Sequence, residues 1–207
     1  MNLLDNFINE CDVALKTLSF KKSGTGRSYP TNETSSSLSK KEKSLSAQLM
    51  RVNLAGEVAA QALYRGQAMV CKDAEIKNHL VQAGEEETDH LIWCKKRLEE
   101  LNGKPSILNP VWYAGSFAIG AIFGSFGEKT SLGFVEETEK QVVKHLEKHL
   151  DRVSKNDTET IEILKTMRAD EDEHAQEAIE NGSESLSEPT KKVMSFTAKV
   201  MTASSAY

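Results

Sequence analysis

The sequence predicts an all-α protein: a four-helix bundle with an extra short apolar helix between helices two and three and a short C-terminal helix. The composition favours helices, since the 207 residues include only four prolines and are rich in Glu, Lys, Leu and Ala. Apolar residues also recur at helical spacing in four long segments that are joined by short connections. The length suits one main domain, which can bury a core without disulfides.

The first two segments of the chain differ sharply in what they can bury. Residues 1–20 predict a short N-terminal helix, because Ile8, Cys11, Leu15 and Leu18 follow helical spacing. Residues 21–42 are rich in Ser, Thr, Gly and Lys and carry few apolar side chains, so they predict a flexible Ser-rich linker. The remaining residues, 43–207, form the main domain.

Four long helices are predicted within this domain, over about residues 41–71, 73–102, 129–154 and 157–181. Asn102-Gly103, followed by Pro105, is a typical stop for the second helix. Asn156 or Asp157 can cap the start of the fourth helix, and Asn181-Gly182 ends it. A short amphipathic helix follows Pro189.

The segment between helices two and three, residues 105–127, contains no charged residue. A membrane span needs roughly 20 mainly apolar residues, and Pro105 and Pro110 interrupt this one, so a single span is the least favoured interpretation. Gly120-x-x-x-Gly124 permits close contact with another helix. Two interpretations stay open: a buried short helix, or an apolar surface that meets a membrane or admits an apolar ligand.

Charge and cysteine content exclude some classes of function. The net charge is −5, from 26 basic and 31 acidic residues, and no dense basic stripe is present, so nucleic-acid binding is not expected. The three cysteines, Cys11, Cys71 and Cys94, lie far apart and form no CxxC pair. This pattern favours a reducing, cytoplasm-facing compartment over a disulfide-stabilised secreted protein.

Two Glu-x-x-His pairs lie where apolar residues are expected. The apolar stripe of the second helix continues through Glu87 and His90, and that of the fourth helix continues through Glu171 and His174. A single pair of this kind is usually part of a solvated helix face. Burying a carboxylate costs several kcal/mol unless its charge is compensated, and no buried Lys or Arg partner is evident, so metal cations are the expected counter-charge.

Two further carboxylates give the chain an internal repeat. Glu57 precedes Glu87 by 30 residues, and Glu139 precedes Glu171 by 32. Each unit is therefore a helix with one Glu followed by a helix with Glu-x-x-His. Four carboxylates and two histidines are the ligand pattern of ferritin-like di-iron and di-manganese proteins, and the absence of thiolates disfavours structural zinc. On spacing alone Glu136 competes with Glu139, because it shares the same helix face.

From about Leu49 onward the chain resembles the Coq7 family, the demethoxyubiquinone hydroxylases of ubiquinone biosynthesis, in their bacterial form. Six segments carry the resemblance: Arg51-Val-Asn-Leu-Ala-Gly-Glu57, Ala60-Gln-Ala-Leu-Tyr-Arg-Gly-Gln67, Glu85-Glu-Glu-Thr-Asp-His-Leu91, Asn109-Pro-Val-Trp-Tyr-Ala-Gly-Ser-Phe117, Leu132-Gly-Phe-Val-Glu-Glu-Thr-Glu139 and Met167-Arg-Ala-Asp-Glu-Asp-Glu-His174. The chain departs from the family at Leu54, where the family usually has His; that residue is not a ligand.

The resemblance implies that residues 43–207 are a ferritin-like di-iron hydroxylase domain. It assigns two irons to six ligands, with Glu139 rather than Glu136: Glu57, Glu87, His90, Glu139, Glu171 and His174. Glu87 and Glu171 are the expected bridging carboxylates. His145 lies near the Glu139 helix face and is expected either to support the site or to be a plain structural histidine.

The implied reaction is hydroxylation of the ring of a demethoxyubiquinol, 2-polyprenyl-3-methyl-6-methoxy-1,4-benzoquinol, with O₂ as co-substrate. The sequence has no Rossmann fingerprint and no iron–sulfur cysteine set, so electrons must come from elsewhere. The resemblance implies NADH or the quinol itself as the reductant. Trp112, Phe117 and Phe123 of the uncharged segment are expected to meet the substrate or the membrane. The expected location is peripheral, on the cytoplasmic face of the bacterial cell membrane. Other ubiquinone-biosynthesis proteins and a second copy of the chain are further expected partners.

Three alternatives remain at this stage. A ferritin-like protein that oxidises iron or scavenges peroxide would share the six ligands but has no need for the uncharged segment. A metal-free helical scaffold would bind no iron. A tRNA-modifying di-iron hydroxylase would need a basic face, which this acidic chain lacks.

Overall fold

The computed structural model describes residues 3–31 and 37–206 of the chain. This part contains seven helices and no strand. The helices are α1 (Leu3–Leu18), α2 (Lys40–Val70), α3 (Ala74–Glu100), α4 (Asn109–Ser125), α5 (Glu128–Arg152), α6 (Thr158–Glu180) and α7 (Glu188–Ser205). Two hairpins, α2–α3 and α5–α6, pack together as a four-helix bundle, and α4 lies along α2. The predicted all-α, ferritin-like bundle with one extra apolar helix and a C-terminal helix is therefore confirmed.

The helix ends follow local capping chemistry. Ser39 forms a capping box with Glu42, so α2 begins at Lys40, slightly before the expected domain boundary at 43. The Asp73 side chain accepts from the backbone N–H groups of Glu75 and Ile76 at the start of α3. Asp157, one of the two expected caps, accepts from the backbone N–H of Thr160 and begins α6. These side chains satisfy donors that the first turn leaves unpaired.

In the Ser-rich segment, the described residues 21–31 and 37–39 are not helical, whereas residues 40–42 belong to α2; residues 32–36 lie outside the described residues. Its first part lies against the bundle. The Thr25 backbone N–H donates to Asp89 Oδ1 at 3.1 Å, and Arg27 forms an ion pair with Asp170 of α6. The flexibility of the segment as a whole stays a prediction.

The bundle contains two apolar clusters. The larger cluster includes Leu54 of α2, Leu91 and Cys94 of α3, and Leu164 and Met167 of α6. The smaller cluster includes Tyr64 and Ala68 of α2, Ala83 of α3, Val135 of α5 and Ala178 of α6. In α3 and α6 the two Glu-x-x-His pairs fall between these clusters. The polar groups therefore sit in the middle of the bundle, with apolar packing above and below.

Helix α4 packs against α2 through glycines on one of its faces. A Cβ atom on Gly120 would lie 2.2 Å from the Leu63 carbonyl oxygen, and one on Gly66 would lie 2.2 Å from that of Phe117. Only glycine allows the two backbones to approach so closely. The opposite face of α4 is exposed to solvent, with Val111 at 59%, Ile122 at 53% and Phe126, just past the helix end, at 65%. The uncharged segment is thus a half-buried helix that presents an apolar stripe.

Every helix in the described ranges is too short or too polar to cross a lipid bilayer.

Candidate metal centre

The two Glu-x-x-His pairs face each other across the bundle. One ligand atom from each of Glu57, Glu87, His90 and Glu171 lies within 4.8 Å of the others, so these four residues could hold a metal ion. His174 joins them, because its Nδ1 atom lies 3.4 Å from both Glu87 Oε1 and Glu171 Oε2. Each side chain comes from a different turn of α2, α3 or α6, and the i, i+3 spacing aims both members of each pair inward.

Glu87 and Glu171 each approach both histidines. His90 Nδ1 lies 3.2 Å from Glu87 Oε2 and 3.2 Å from Glu171 Oε1, whereas the other oxygen of each carboxylate faces His174. Glu57 lies on the His90 side, with its Oε2 3.7 Å from His90 Nδ1. The two central carboxylates are therefore placed between two positions, each of which has its own histidine.

Glu139 completes the cluster from α5. It is 1% exposed, and its Oε1 accepts a hydrogen bond of 2.8 Å from the Tyr64 hydroxyl. Glu136, the competing residue, lies outside the cluster and pairs with Lys140 and Ser183. Five of the six residues that the sequence singled out therefore contact one another, and Glu139 lies near enough for the charges of Glu171, Glu87 and His174 to act on it. None of the six is more than 4% exposed.

The cluster carries more negative charge than its own histidines can balance. Burial raises the pKa of both Glu57 and Glu139 well above the usual range, and the neighbouring carboxylates add to this effect. Burial alone would lower the pKa of His90, but its hydrogen bonds with Asp170, Glu171, Glu57 and Glu87 outweigh burial and raise it. Without metal, protons therefore supply the counter-charge that burial requires.

The outer nitrogen of each histidine has a carboxylate partner from the opposite helix. His90 Nε2 donates to Asp170 Oδ2 of α6 at 2.8 Å, and His174 Nε2 donates to Glu86 Oε2 of α3 at 2.9 Å. An acceptor at Nε2 leaves the Nδ1 lone pair of a neutral imidazole aimed into the cluster, as a metal ligand requires. Sequence reasoning missed Asp170, Glu86 and Tyr64. The first two had a visible signal, because each stands one residue before a Glu of the repeat.

His145 lies against another histidine. Its ring centroid is 4.0 Å from that of His149, and burial lowers its pKa to about 4. Among the described residues, the His145 ring thus contacts a neighbour on α5 and not a residue of the cluster. A supporting role for His145 at the metal centre stays a prediction.

The three aromatic residues expected at the membrane or substrate are partly buried. Phe123 packs on Phe134 with ring centroids 4.1 Å apart, and Phe117 packs against the larger apolar cluster. Trp112 Nε1 donates to Ser205 Oγ of α7 at 3.0 Å. The exposed large apolar side chains of α4 and its C-terminal end are instead those of the stripe Val111, Ile122 and Phe126. Roles for Trp112, Phe117 and Phe123 in contacting substrate stay predictions.

Comparisons with known proteins agree on one family. The model of the family described as "Ubiquinone biosynthesis protein COQ7" matches residues 44–205. Proteins named 3-demethoxyubiquinol 3-hydroxylase are 48% identical to the chain in Francisella philomiragia, Legionella pneumophila strain Lens and Nitrosococcus oceani. These alignments cover 98%, 100% and 98% of this chain and 96%, 98% and 95% of the respective relatives.

Proposed function

Because the chain belongs to the COQ7 family of ubiquinone biosynthesis proteins, we propose that it hydroxylates the ring of a demethoxyubiquinol with O₂ at a di-iron centre. One oxygen atom replaces a ring hydrogen as a hydroxyl group, and the other leaves as water. Besides O₂ and the ring C–H group, the reaction consumes two electrons and two protons. NADH and the quinol itself both stay predicted as the electron source.

The observation that carries this proposal is the uncompensated charge of the buried cluster. Four carboxylates stand beside two histidines, and the fully buried Glu87 Oε1 faces only His174 Nδ1, at 3.4 Å, without a well-aligned hydrogen bond. Two divalent cations would neutralise the four carboxylates while the histidines bind as neutral imidazoles. Carboxylate and imidazole ligands without thiolate suit iron or manganese. The residues present therefore fit a pair of irons.

The proposed ligand set follows the contacts within the cluster. Glu87 and Glu171 would bridge the two ions, because each reaches both histidines. Glu57 and His90 would complete one position, and Glu139 and His174 the other. When bound, ferrous iron supplies electrons and open coordination positions for O₂. Tyr64, through its hydrogen bond to Glu139, holds that carboxylate in place.

The chain's own contribution to catalysis is geometry and exclusion of water. The apolar clusters on both sides of the six groups keep bulk water out of the site, which would suppress side reactions of a bound metal. Helix α4, which carries the apolar stripe on its outer face, packs against α2, the helix that carries Glu57. The ring of a membrane-soluble quinol would enter along this side.

The proposal includes peripheral binding to the cytoplasmic face of the bacterial cell membrane. Its support is the stripe formed by Val111, Ile122 and Phe126, which lies in a stretch of 23 residues, 105–127, without a charge. A polyprenyl quinol is confined to lipid, so an enzyme that acts on it needs a surface of this kind. Other proteins of the pathway and a second copy of the chain stay predicted partners.

An iron-oxidising or peroxide-scavenging protein would use the same six groups. It would have no use for the apolar stripe on α4, whose side chains would gain nothing from exposure to water. The relatives that match the full chain carry the hydroxylase name. Both observations favour the hydroxylase.

The test is complementation of a bacterium that lacks its own demethoxyubiquinol hydroxylase. Expression of this chain is expected to restore ubiquinone and to remove accumulated demethoxyubiquinone, measured by quantitative lipid extraction. The empty vector is the control. Continued accumulation of demethoxyubiquinone, although the protein is made and holds two irons, would contradict the hydroxylase and favour the iron-oxidising alternative.

A further inference from the structure

Arg27 reaches the edge of the metal centre from a segment outside the family-matched residues 44–205. Its guanidinium group makes a bidentate contact with the Asp170 carboxylate: Nη1 lies 2.8 Å from Oδ2, and Nη2 lies 3.1 Å from Oδ1. It also lies over the Trp93 ring, with its central carbon 4.9 Å from the ring centroid. A bidentate contact of this kind fixes the plane of the carboxylate. Stacking on the Trp93 ring in turn holds the guanidinium group in place.

The segment that carries Arg27 is anchored on α3 on both sides of that residue. Thr25 bonds Asp89 through its backbone N–H and its hydroxyl. Tyr29 lies under Lys96, whose Nζ is 3.7 Å from the Tyr29 ring centroid. These contacts hold the guanidinium group of Arg27 over the gap between α3 and α6, where Asp170 meets His90.

Asp170 connects Arg27 to the cluster. Its Oδ2 accepts from His90 Nε2 at 2.8 Å, and the opposite ring nitrogen of His90 faces Glu87 and Glu171 at 3.2 Å each. Asp170 is 16% exposed along its side chain, so without Arg27 it could rotate toward water. The orientation of the His90 ring thus depends on its hydrogen bond to Asp170, and Arg27 holds the Asp170 carboxylate in place.

The other half of the site has no such two-nitrogen contact, although the positive charge of Arg27 also acts on Glu86 from a distance. Glu86 occupies the equivalent place and accepts from His174 Nε2 at 2.9 Å. Its second described partner is the neutral amide of Gln82, which lies one turn away on the same helix, at 3.1 Å. Each histidine of the cluster therefore has a carboxylate partner at Nε2. The two carboxylates differ in that Asp170 is held by an arginine, whereas Glu86 is held by an amide.

We infer that Arg27 is a positioning residue that acts through Asp170 on His90 and makes the metal position beside His90 tighter than the one beside His174. This inference rests on the proposed di-iron function of the cluster. Replacing a residue that orients a metal-binding histidine typically costs 10- to 100-fold in metal affinity. Arg27 acts on His90 only through Asp170, so we expect the lower end of this range, a loss of about 10-fold in metal affinity. The loss is expected at the position beside His90 only.

The test is an anaerobic titration of the full chain with ferrous iron against a competing chelator, which yields two dissociation constants. Arg27→Gln is expected to weaken one of them about 10-fold and to leave the other within twofold of the wild-type value. Arg27→Lys keeps the charge but not the bidentate contact, so an intermediate loss is expected. Arg168→Gln is the matched control, because it removes a similar arginine–carboxylate pair, with Glu147, from the exposed surface.

A spectroscopic measurement separates positioning from general support of the fold. In protein loaded with Co²⁺, the Nε2–H proton of each ligand histidine gives its own shifted NMR signal, which Asp170→Asn and Glu86→Gln assign. Arg27→Gln is expected to speed solvent exchange of the His90 proton alone. Equal weakening of both metal positions, or wild-type constants and exchange rates in Arg27→Gln, would overturn the inference. Wild-type protein that binds no iron would overturn the proposed function as well, so the two failures are distinguishable.

Discussion

Glu171→Gln is expected to bind fewer than two irons per chain and to lose more than about 100-fold of the hydroxylase activity. Glu171 lies 3.2 Å from Nδ1 of His90 and 3.4 Å from that of His174, so its loss removes a ligand from both proposed metal positions. Glutamine has the same shape but brings no negative charge. The measurements are iron content after anaerobic reconstitution and turnover of a short-chain demethoxyubiquinol.

Glu173→Gln is the matched control for that experiment. It makes the same chemical change two residues along α6, on the exposed side of the helix. Both variants are expected to keep the helical circular dichroism of the wild type, because neither disturbs apolar packing. Two irons and full turnover in Glu171→Gln would show that this carboxylate is not a ligand.

The second large effect is expected from the exposed stripe of α4. Changing Val111, Ile122 and Phe126 together to Asp should release the protein from lipid vesicles. Each side chain is a little more than half exposed and gains about 1 kcal/mol on entering lipid, so the three together account for about 3 kcal/mol, or ~100-fold in partitioning. The measurement is sedimentation with vesicles that contain anionic bacterial lipids.

Val81→Asp with Ile179→Asp is the control for the stripe. These residues are exposed to 37% and 41% but lie on α3 and α6, away from α4. The stripe variant is expected to keep its irons and its turnover of a water-soluble quinol, while turnover of a long-chain quinol in vesicles falls. Unchanged sedimentation of the stripe variant would remove α4 as the membrane-binding surface. Phe117 and Phe123 are poor choices for this test, because both are partly buried and their replacement would also disturb packing against the larger apolar cluster and Phe134.

The helices and the two Glu-x-x-His pairs could be predicted because their signals are local, whereas only the family resemblance favoured Glu139 over Glu136. Helical periodicity and caps such as Asp157 placed the helix ends within a few residues. The cluster was visible because Glu87, His90, Glu171 and His174 interrupt apolar stripes, and a polar residue on a buried face needs a partner.

The contacts around the cluster depend on how the helices meet, which periodicity does not encode. Asp170 bonds a histidine of α3, and Glu86 bonds one of α6. Arg27 could not be found from the sequence, because its segment is polar and shows no periodicity. Its partner lies 143 residues away along the chain.

The sequence left open which face of α4 packs against the bundle. Every residue of the segment is uncharged, so hydropathy alone cannot say which side packs. Gly120 and Gly124 mark the side that touches α2, and Phe117 lies on that side, three residues before Gly120. Trp112, Phe117 and Phe123 stay predicted contacts of the substrate or membrane, whereas the exposed stripe of Val111, Ile122 and Phe126 lies opposite the glycines.

The central claim is that six buried side chains bind two iron ions in the middle of the bundle. Anomalous diffraction at the iron edge, from crystals grown anaerobically with ferrous salt, tests it most directly. Two iron peaks are expected, both bridged by Glu87 and Glu171, with Nδ1 of His90 beside one and Nδ1 of His174 beside the other. The contradicting result is a crystal in which iron is absent from the bundle and these side chains point away from one another.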